Sequence, residues 1–193
     1  MQRICVFCGS YSGARPDYAE AARDLADTLV HNGLGLVYGG GHVGLMGILA
    51  DEMLRLHGEV IGVIPRGLWL REVGHARVPD MRIVETMHER KALMAELADG
   101  FVALPGGLGT LEEIFEIWTW AQLGMHRKPV GFLDVAGYYS PLFTFLDTAV
   151  GESFIRPEMR RAVIVDRDPE MLLRRFKSYV PPAVEKWIGR EET

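Results

Sequence analysis

Short apolar runs alternate with longer segments of mixed apolar and polar residues along almost the whole chain. The short runs are continuously apolar, which is typical of strands buried on both faces of a sheet. The predicted strands are residues 4–8, 34–38, 60–64, 82–86, 101–104, 130–133 and 162–165. The predicted amphipathic helices are residues 16–32, 44–56, 87–98, 110–123, 139–150 and 169–179. This alternation predicts an α/β fold, in which a parallel sheet is covered by helices on both faces.

Glycines mark the ends of the first two helices, and no feature divides the chain into parts. Gly33 and Gly58 follow those helices at the position where a glycine commonly ends a helix. Residues 66–79 are predicted to be irregular, and the tail after residue 179 is predicted to be peripheral. Because there is no repeat, linker or low-complexity tract, we expect a single domain over residues 1–193.

The charge balance and the apolar runs exclude several classes of protein. With 21 Lys and Arg against 26 Asp and Glu, the formal net charge is −5, so we expect no general cationic surface for a nucleic acid. No apolar run is long enough to span a membrane, and the first residues lack the apolar core of a secretory signal. We therefore expect a cytoplasmic protein that binds neither nucleic acid nor membrane.

The two cysteines, Cys5 and Cys8, have the C-x-x-C spacing of a redox pair. They fall in the first predicted strand, however, where residues three apart point to opposite faces. Redox dithiols normally lie at a helix N-terminus instead, and no second Cys or His cluster completes a zinc site. We predict neither a redox function nor a bound metal.

Two glycine-rich loops each follow a predicted strand and begin a helix, at residues 39–47 and 105–110. Ligands of parallel sheets bind beyond the carboxyl ends of the strands, and a helix N-terminus with close-approaching glycines favours an anion, typically phosphate. The alternative is that the glycines only form tight turns. The presence of two such loops at one edge of the sheet favours a phosphate site.

The first loop formally matches a dinucleotide-binding fingerprint, Gly39-x-Gly41-x-x-Gly44. It follows the second strand rather than the first, and the next strand has no acidic residue at its carboxyl end to hold a ribose. Glu59 lies at the opposite end of that strand. Neither loop carries the Gly-Lys-Ser or Gly-Lys-Thr of a P-loop, so we expect neither a nicotinamide cofactor nor a nucleoside triphosphate.

The segment that begins with Thr110 and reaches Glu113 has two interpretations. Thr110 and Glu113 have the spacing of a capping box, in which the glutamate reaches back to its own helix N-terminus. Alternatively, Glu113 is a catalytic carboxylate at the rim of an anion site. The spacing alone favours the cap, and the two roles compete because a carboxylate bonded to its own backbone is less free to act on a substrate.

Two further helices carry unusual patterns. Arg90 and Lys91 lie in the first turn of a predicted helix, where positive charge opposes the helix dipole unless an anion is nearby; a solvated basic face is the alternative. Residues 114–120 are apolar almost all round, so this helix is buried in the core or against a second subunit. We predict a homodimer with the helix of residues 110–123 at or near the interface.

The combined motifs resemble the Lonely Guy family of cytokinin riboside 5′-monophosphate phosphoribohydrolases, which are often mislabelled as lysine decarboxylases. The most distinctive block is Pro105-Gly106-Gly107-x-Gly109-Thr110-x-x-Glu113. The other similar blocks, in the family's order, are Cys8-Gly9-Ser10, Val37-Tyr38-Gly39-Gly40-Gly41, Gly44-Leu45-Met46-Gly47 and Met87-His88-Glu89-Arg90-Lys91. They span nearly the whole chain, and the pattern is specific although no single block is.

This resemblance implies a Rossmann-like, doubly wound fold, a homodimer, no cofactor, and hydrolysis of a nucleoside 5′-monophosphate such as AMP to a free base and ribose 5-phosphate. It implies that Arg90 and Glu113 are catalytic. It also implies a set of substrate contacts. These are Ser10, Glu72, Arg90, Lys91, Gly106, Gly107, Leu108, Gly109, Thr110, Leu111, Glu112, Glu113 and Thr119.

In the mechanism that this suggests, the loop from Gly106 to Thr110 holds the 5′-phosphate and Glu113 meets the positive charge that builds on the ribose. Arg90 either keeps Glu113 ionised or contacts the substrate, and the sequence does not decide between these roles. A pyridoxal decarboxylase is disfavoured, since only Lys91 of the four lysines lies in a motif. A non-catalytic nucleotide-binding module is the alternative function.

Overall fold

The computed structural model describes residues 1–71 and 74–183 and contains one seven-stranded sheet in which every neighbouring pair of strands is parallel. The strands β1 to β7 are Arg3–Phe7, Gly35–Tyr38, Val60–Pro65, Asp80–Val84, Gly100–Ala103, Val130–Leu133 and Ile164–Asp166. Their spatial order is β4-β3-β2-β1-β5-β6-β7. The predicted parallel α/β fold is therefore confirmed.

Eight α-helices accompany the sheet in the described part of the chain. Helices α1 to α8 are Pro16–His31, Gly44–Arg55, Arg66–Trp69, Met87–Leu97, Leu108–Gln122, Ser140–Gly151, Pro157–Ala162 and Pro169–Lys177. Apolar side chains of α1, α2 and α8 form one core with one face of the sheet. Those of α4, α5 and α6 form a second core on the opposite face. The sheet is thus doubly wound, as expected.

The two cysteines illustrate how the sheet divides the two cores. Cys5 packs into the core beneath α4 and α5, whereas Cys8 packs into the core beneath α1 and α2. Both are unpaired and buried, and burial raises the pKa of each thiol above its ordinary value. Two protonated thiols on opposite faces are not a redox pair, which agrees with the prediction.

Several predicted boundaries differ from the structure. The fourth strand lies two residues earlier than predicted, at Asp80–Val84, because it is an edge strand whose half-exposed side chains give a weak apolar pattern. The segment 66–79 was expected to be irregular but begins with the short helix α3. Helix α7 was not predicted, and the last strand begins at Ile164 rather than 162.

The end of α2 differs from the predicted glycine stop. Gly33 takes the left-handed conformation after α1, with φ of 66°, but after α2 it is His57 that does so, with φ of 59°. Gly58 comes next and donates its N–H to the Met53 carbonyl at 2.8 Å. A Cβ on Gly58 would lie 2.7 Å from a methyl group of Val30, so this glycine allows α1 and α2 to pack closely.

The strand order reverses at β1, which places a crevice at the carboxyl ends of β1 and β5. From β1 the chain builds the sheet outward through β2, β3 and β4, and then returns to the other side of β1 with β5. Ligands of doubly wound sheets bind at such a switch point. No helix in residues 1–71 and 74–183 has the length and apolar composition needed to cross a membrane.

Candidate active site

A cleft of about 530 Å³ lies at the switch point, and its volume is in the range of roughly 300–1,000 Å³ that is typical of small-molecule sites. Its walls come from the loop after β1, the start of α2, the start of α4, the β5–α5 loop and Tyr138. The residues that line it therefore come from segments far apart in the sequence, and they meet because the parallel strands end at one edge of the sheet.

The β5–α5 loop forms one wall of the cleft through residues 105–110. Helix α5 begins at Leu108, and no side chain in the described part of the chain caps this N-terminus. The first N–H groups of a helix have no intrahelical partner, so they are available to an anion. A Cβ on Gly106 would lie 2.1 Å from Thr110 Oγ1 and 2.9 Å from the Gly9 nitrogen, so only glycine fits there.

The glycines of the other loop, residues 39–47, play a different part from the one predicted. They do not line the cleft; the residues of that segment that do are Leu45 and Met46. Gly44 has φ of 58°, and a Cβ on it would lie 2.3 Å from the Ser10 carbonyl carbon. Leu45 donates its N–H to the Gly9 carbonyl at 3.0 Å. In this loop the glycines allow close packing of the backbone rather than contact with a ligand in the cleft.

A buried ion pair lies at the base of the cleft between Arg90 of α4 and Glu113 of α5. Arg90 Nη1 donates to Glu113 Oε1, and each residue is only 8% exposed. Arg90 Nε also donates to the Val63 carbonyl at the end of β3, at 3.1 Å. Burial raises the pKa of the Glu113 carboxyl above its ordinary value, while the guanidinium acts in the opposite direction. Two roles were left open for Arg90, and this geometry agrees with the one in which Arg90 contacts Glu113.

The capping-box interpretation of Thr110 and Glu113 is wrong. Helix α5 begins at Leu108, two residues earlier than predicted, so Thr110 is already inside the helix and Glu113 lies beyond the first turn. The carboxylate of Glu113 faces Arg90 rather than its own backbone. This contact excludes the capping interpretation, and the Glu113 side chain faces the cleft.

A capping arrangement of the same spacing is found instead at the start of α4. Thr86 Oγ1 accepts the Glu89 N–H at 3.1 Å, and Glu89 Oε2 accepts the Glu85 N–H at 2.8 Å. This cap at the start of α4 was not predicted from the sequence. The segment Thr86-x-x-Glu89 has the same spacing as Thr110-x-x-Glu113, so the sequence did contain this signal.

Lys91 points away from the cleft. Its ammonium bonds Glu112 Oε1 at 2.6 Å and Glu116 Oε2 at 2.8 Å, and it lines an outer groove between α4 and α5 that also contains Trp120. Burial works against the charge, but these two carboxylates raise the pKa of the Lys91 ammonium above its ordinary value. Arg90 and Lys91 are both buried, so the solvated basic face is excluded, and the nearby anions are the protein's own.

The structure brings together most, but not all, of the proposed substrate contacts. Those that line the cleft are Ser10, Arg90, Gly106, Gly107, Leu108, Gly109, Thr110, Glu112 and Glu113. Leu111 and Thr119 lie elsewhere on α5, and the hydroxyl of Thr119 donates to the Phe115 carbonyl at 2.7 Å. Glu72 lies outside the described residues.

Several residues that line the cleft were not predicted from the sequence, and Tyr138 is one of them. Tyr18, Met87 and Tyr138 line the cleft, and the Tyr138 hydroxyl donates to the Gly106 carbonyl at 2.6 Å. Tyr138 follows β6, so its position after a strand was a usable signal. Among the described residues, no group of three or more His, Cys, Asp or Glu is arranged to hold a metal ion.

The fold and the cleft define a class of protein. The protein is a Rossmann-like α/β protein in which the uncapped N-terminus of α5 and a buried arginine–glutamate pair lie in one cleft. Residues 46–176 match a family model described as "Possible lysine decarboxylase". The chain is 51% identical to cytokinin riboside 5′-monophosphate phosphoribohydrolase LOG7 of Arabidopsis thaliana, over 93% of this chain and 83% of that protein.

The phosphoribohydrolase LOG of Oryza sativa is 50% identical over 93% of this chain and 74% of its own length. This chain therefore belongs to the family of cytokinin riboside 5′-monophosphate phosphoribohydrolases, as the resemblance of its motifs indicated. That family is the one that the matching family model describes as possible lysine decarboxylases.

Solved structures show the same fold at much lower identity. The molybdenum cofactor binding protein of Rippkaea orientalis aligns with a TM-score of 0.69 at 22% identity, over 92% of this chain and 96% of its own. The molybdenum cofactor carrier protein of Chlamydomonas reinhardtii aligns with a TM-score of 0.66 at 20% identity, over 92% and 97%. These likenesses concern the fold alone.

Proposed function

We propose that this protein hydrolyses the N-glycosidic bond of cytokinin riboside 5′-monophosphates and of AMP, releasing the free base and ribose 5-phosphate. The observation that carries the proposal is the buried Arg90–Glu113 pair in the same cleft as the N-terminus of α5. The names of relatives at about half identity support the same reaction.

Glu113 supplies the charge that the reaction needs. Breaking the bond between C1′ and the base nitrogen gives the ribose the character of an oxocarbenium ion. A carboxylate near C1′ stabilises this positive charge and orients the water whose oxygen bonds to C1′ as the base leaves with its electron pair. The departing base takes up a proton, and the water loses one. Arg90 keeps the carboxylate in place and favours its ionised form against the effect of burial.

The β5–α5 loop holds the 5′-phosphate in this proposal. Its glycines let the backbone approach the phosphate, and the N–H groups at the start of α5 donate to it. Because the phosphate is joined to the ribose, fixing it also fixes C1′ relative to Glu113, so that binding energy contributes to positioning. Nucleoside 5′-monophosphates are therefore expected to react far faster than nucleosides.

The test is the variant Glu113→Gln, assayed for release of adenine from AMP. Glutamine retains an oxygen that accepts from Arg90 but has no charge, so kcat is expected to fall by about 10² to 10⁴ while AMP still binds. The melting temperature is expected to fall by several degrees, because the guanidinium then lies buried beside an uncharged amide. Circular dichroism sets the assay temperature at which the variant is folded.

The matched control is Glu20→Gln, which makes the same change at an exposed position of α1 and is expected to keep full activity. A folded Glu113→Gln that binds AMP and remains within threefold of the parent would remove Glu113 from the mechanism. A parent that binds AMP without releasing adenine would identify a non-catalytic nucleotide-binding module instead. Equal kcat/KM values for AMP and adenosine would exclude the phosphate site.

The proposal includes a homodimer in the cytoplasm, with the nucleotide rather than a nucleic acid as its ligand. Outward-facing apolar side chains on α5, among them Phe115 and Trp120, are only partly covered by this chain and are suited to a second copy. The unpaired cysteines are typical of a reducing compartment. The net charge of −5 argues against a nucleic-acid surface.

A further inference from the structure

The turn between β6 and α6 has an unusual backbone that is held in place by a buried carboxylate. Ala136 and Gly137 both have left-handed backbones, with φ of 52° and 76°, and this conformation is strained for alanine. The carboxylate of Asp134 accepts the Tyr139 N–H at 2.7 Å and the Ser140 hydroxyl at 3.2 Å. Strained backbone that is fixed by its surroundings is common at functional sites.

This turn presents two consecutive tyrosines to the β5–α5 loop. Tyr138 donates its hydroxyl to the Gly106 carbonyl at 2.6 Å, and Tyr139 donates its hydroxyl to the Leu104 carbonyl at 2.6 Å. Their rings meet edge to face with centroids 4.9 Å apart. Tyr139 is buried, whereas Tyr138 is 42% exposed and lines the cleft. The hydrogen bond from Tyr139 thus lies in the core, whereas the one from Tyr138 lies at the cleft.

The hydrogen bond from Tyr138 determines how one peptide of the loop is oriented. In a planar trans peptide the carbonyl oxygen and the following N–H point in opposite directions. Fixing the Gly106 oxygen therefore fixes the direction of the Gly107 N–H, which lies at the N-terminus of α5. Both flanking residues are glycines, so without this bond the peptide would have more backbone freedom than any other pair of residues allows.

We propose that Tyr138 is a positioning residue that orients the Gly106–Gly107 peptide to receive the 5′-phosphate of the substrate. The inference rests on the proposed function, because it assigns the phosphate to this loop. Tyr138 acts through the loop backbone and takes no part in breaking the glycosidic bond. Its hydroxyl is accordingly expected to affect the binding of the phosphate rather than the chemical step.

The variant Tyr138→Phe tests this by removing one hydroxyl and keeping the ring. The loop peptide must then be ordered when the phosphate binds, so the KM for AMP is expected to rise about three- to tenfold, as for loss of one hydrogen bond. The kcat for AMP is expected to stay within twofold, and kcat/KM for adenosine, which has no phosphate, is expected to be unchanged. Binding of ribose 5-phosphate, measured by calorimetry, is expected to weaken by the same factor as AMP.

Tyr179→Phe is the matched control, since it removes a tyrosine hydroxyl from a residue that lines a different cavity; it is expected to leave all these quantities unchanged. The inference is overturned if Tyr138→Phe leaves the KM for AMP unchanged, lowers kcat at constant KM, or affects adenosine as much as AMP. A parent that releases no adenine would refute the proposed function. The ribose 5-phosphate titration would then still test the role of Tyr138. That role is excluded if Tyr138→Phe binds ribose 5-phosphate as tightly as the parent does, or if the parent does not bind it.

Discussion

At the scale of single residues, the Arg90 guanidinium is confined by three separate parts of the chain. It bonds the Val63 carbonyl of β3 and the Glu113 carboxylate of α5, and it lies against the backbone of Gly39. A Cβ on Gly39 would come within 2.0 Å of Arg90 Nη2. This glycine is therefore needed for the close approach of the Arg90 side chain rather than for a turn.

Gly39→Ala is expected to displace the guanidinium and with it the carboxylate of Glu113. Since misplacement by about 1 Å can reduce a rate about 10²-fold, we expect kcat for AMP to fall about 10- to 100-fold. Gly67→Ala in α3 is the control, because a Cβ there meets nothing within 4 Å. Adenine release by Gly39→Ala that equalled that of Gly67→Ala would show that the arginine tolerates the displacement.

The residue types of the site were predictable, but their partners were not. Arg90 and Glu113 are 23 positions apart, and their contact depends on α4 and α5 covering the same face of the sheet. Lys91 is adjacent to Arg90 in sequence, yet it points into the outer groove, because successive helical positions face directions about 100° apart. One step along α4, from Arg90 to Lys91, thus turns the side chain from the cleft to the outer groove.

At the scale of elements, α4 and α5 begin in physically different ways. Helix α4, which carries Arg90, is capped by the Thr86 hydroxyl. Helix α5 begins at Leu108, after the N-cap residue Gly107, without a side-chain cap from any described residue, and the residues of its first turn line the cleft. Both segments contain Thr-x-x-Glu, so the pattern alone could not assign the cap. The backbone of the β5–α5 loop decided where α5 starts.

Thr86→Ala removes the cap of α4 and is expected to lower the free energy of unfolding by about 1 kcal/mol. For a chain of this length the melting temperature should fall by about 2–4 °C, which calorimetry measures. Thr86→Ser is the control, because serine caps equally well and should retain most of the stability. If the alanine and serine variants melt together, the Thr86 hydroxyl does not stabilise α4.

At the scale of the whole molecule, the outward face of α5 carries apolar side chains that this chain covers only in part. Phe115 and Trp120 are partly buried against the core of this chain, and the outer groove beside Trp120 has a volume of about 920 Å³. A helix that is apolar beyond its core-facing side requires a further partner. This is the surface on which the proposed dimer would form.

One chain has a mass of 21.6 kDa, and light scattering at micromolar concentration is expected to give close to twice that mass. Phe115→Glu should shift the mass to that of one chain, because a charge would be buried in the interface. Met171→Glu adds the same charge at an exposed position of α8, on the opposite face of the sheet, and should leave the dimer intact. A parent with the mass of a single chain would contradict the dimer.

The sequence by itself determined the α/β class, the alternation of strands and helices, and the glycine-rich loop after β5 that lines the cleft. Continuous apolar runs and local turn residues encode these features within a few neighbouring positions, which is why β6 was predicted at its observed bounds, Val130–Leu133. The resemblance of the motifs also identified the family and named Arg90 and Glu113. Half-exposed elements such as β4 were placed less well, because their apolar pattern is weak.

Only the tertiary structure decided which side chains meet. It paired Glu113 with Arg90 rather than with its own helix N-terminus, moved Lys91 and Thr119 out of the cleft, and brought Tyr138 to the Gly106 carbonyl. Each of these contacts joins segments that are distant in sequence, and each depends on strand order and helical phase. No local pattern encodes those quantities, because they are set by how the whole sheet packs against its two layers of helices.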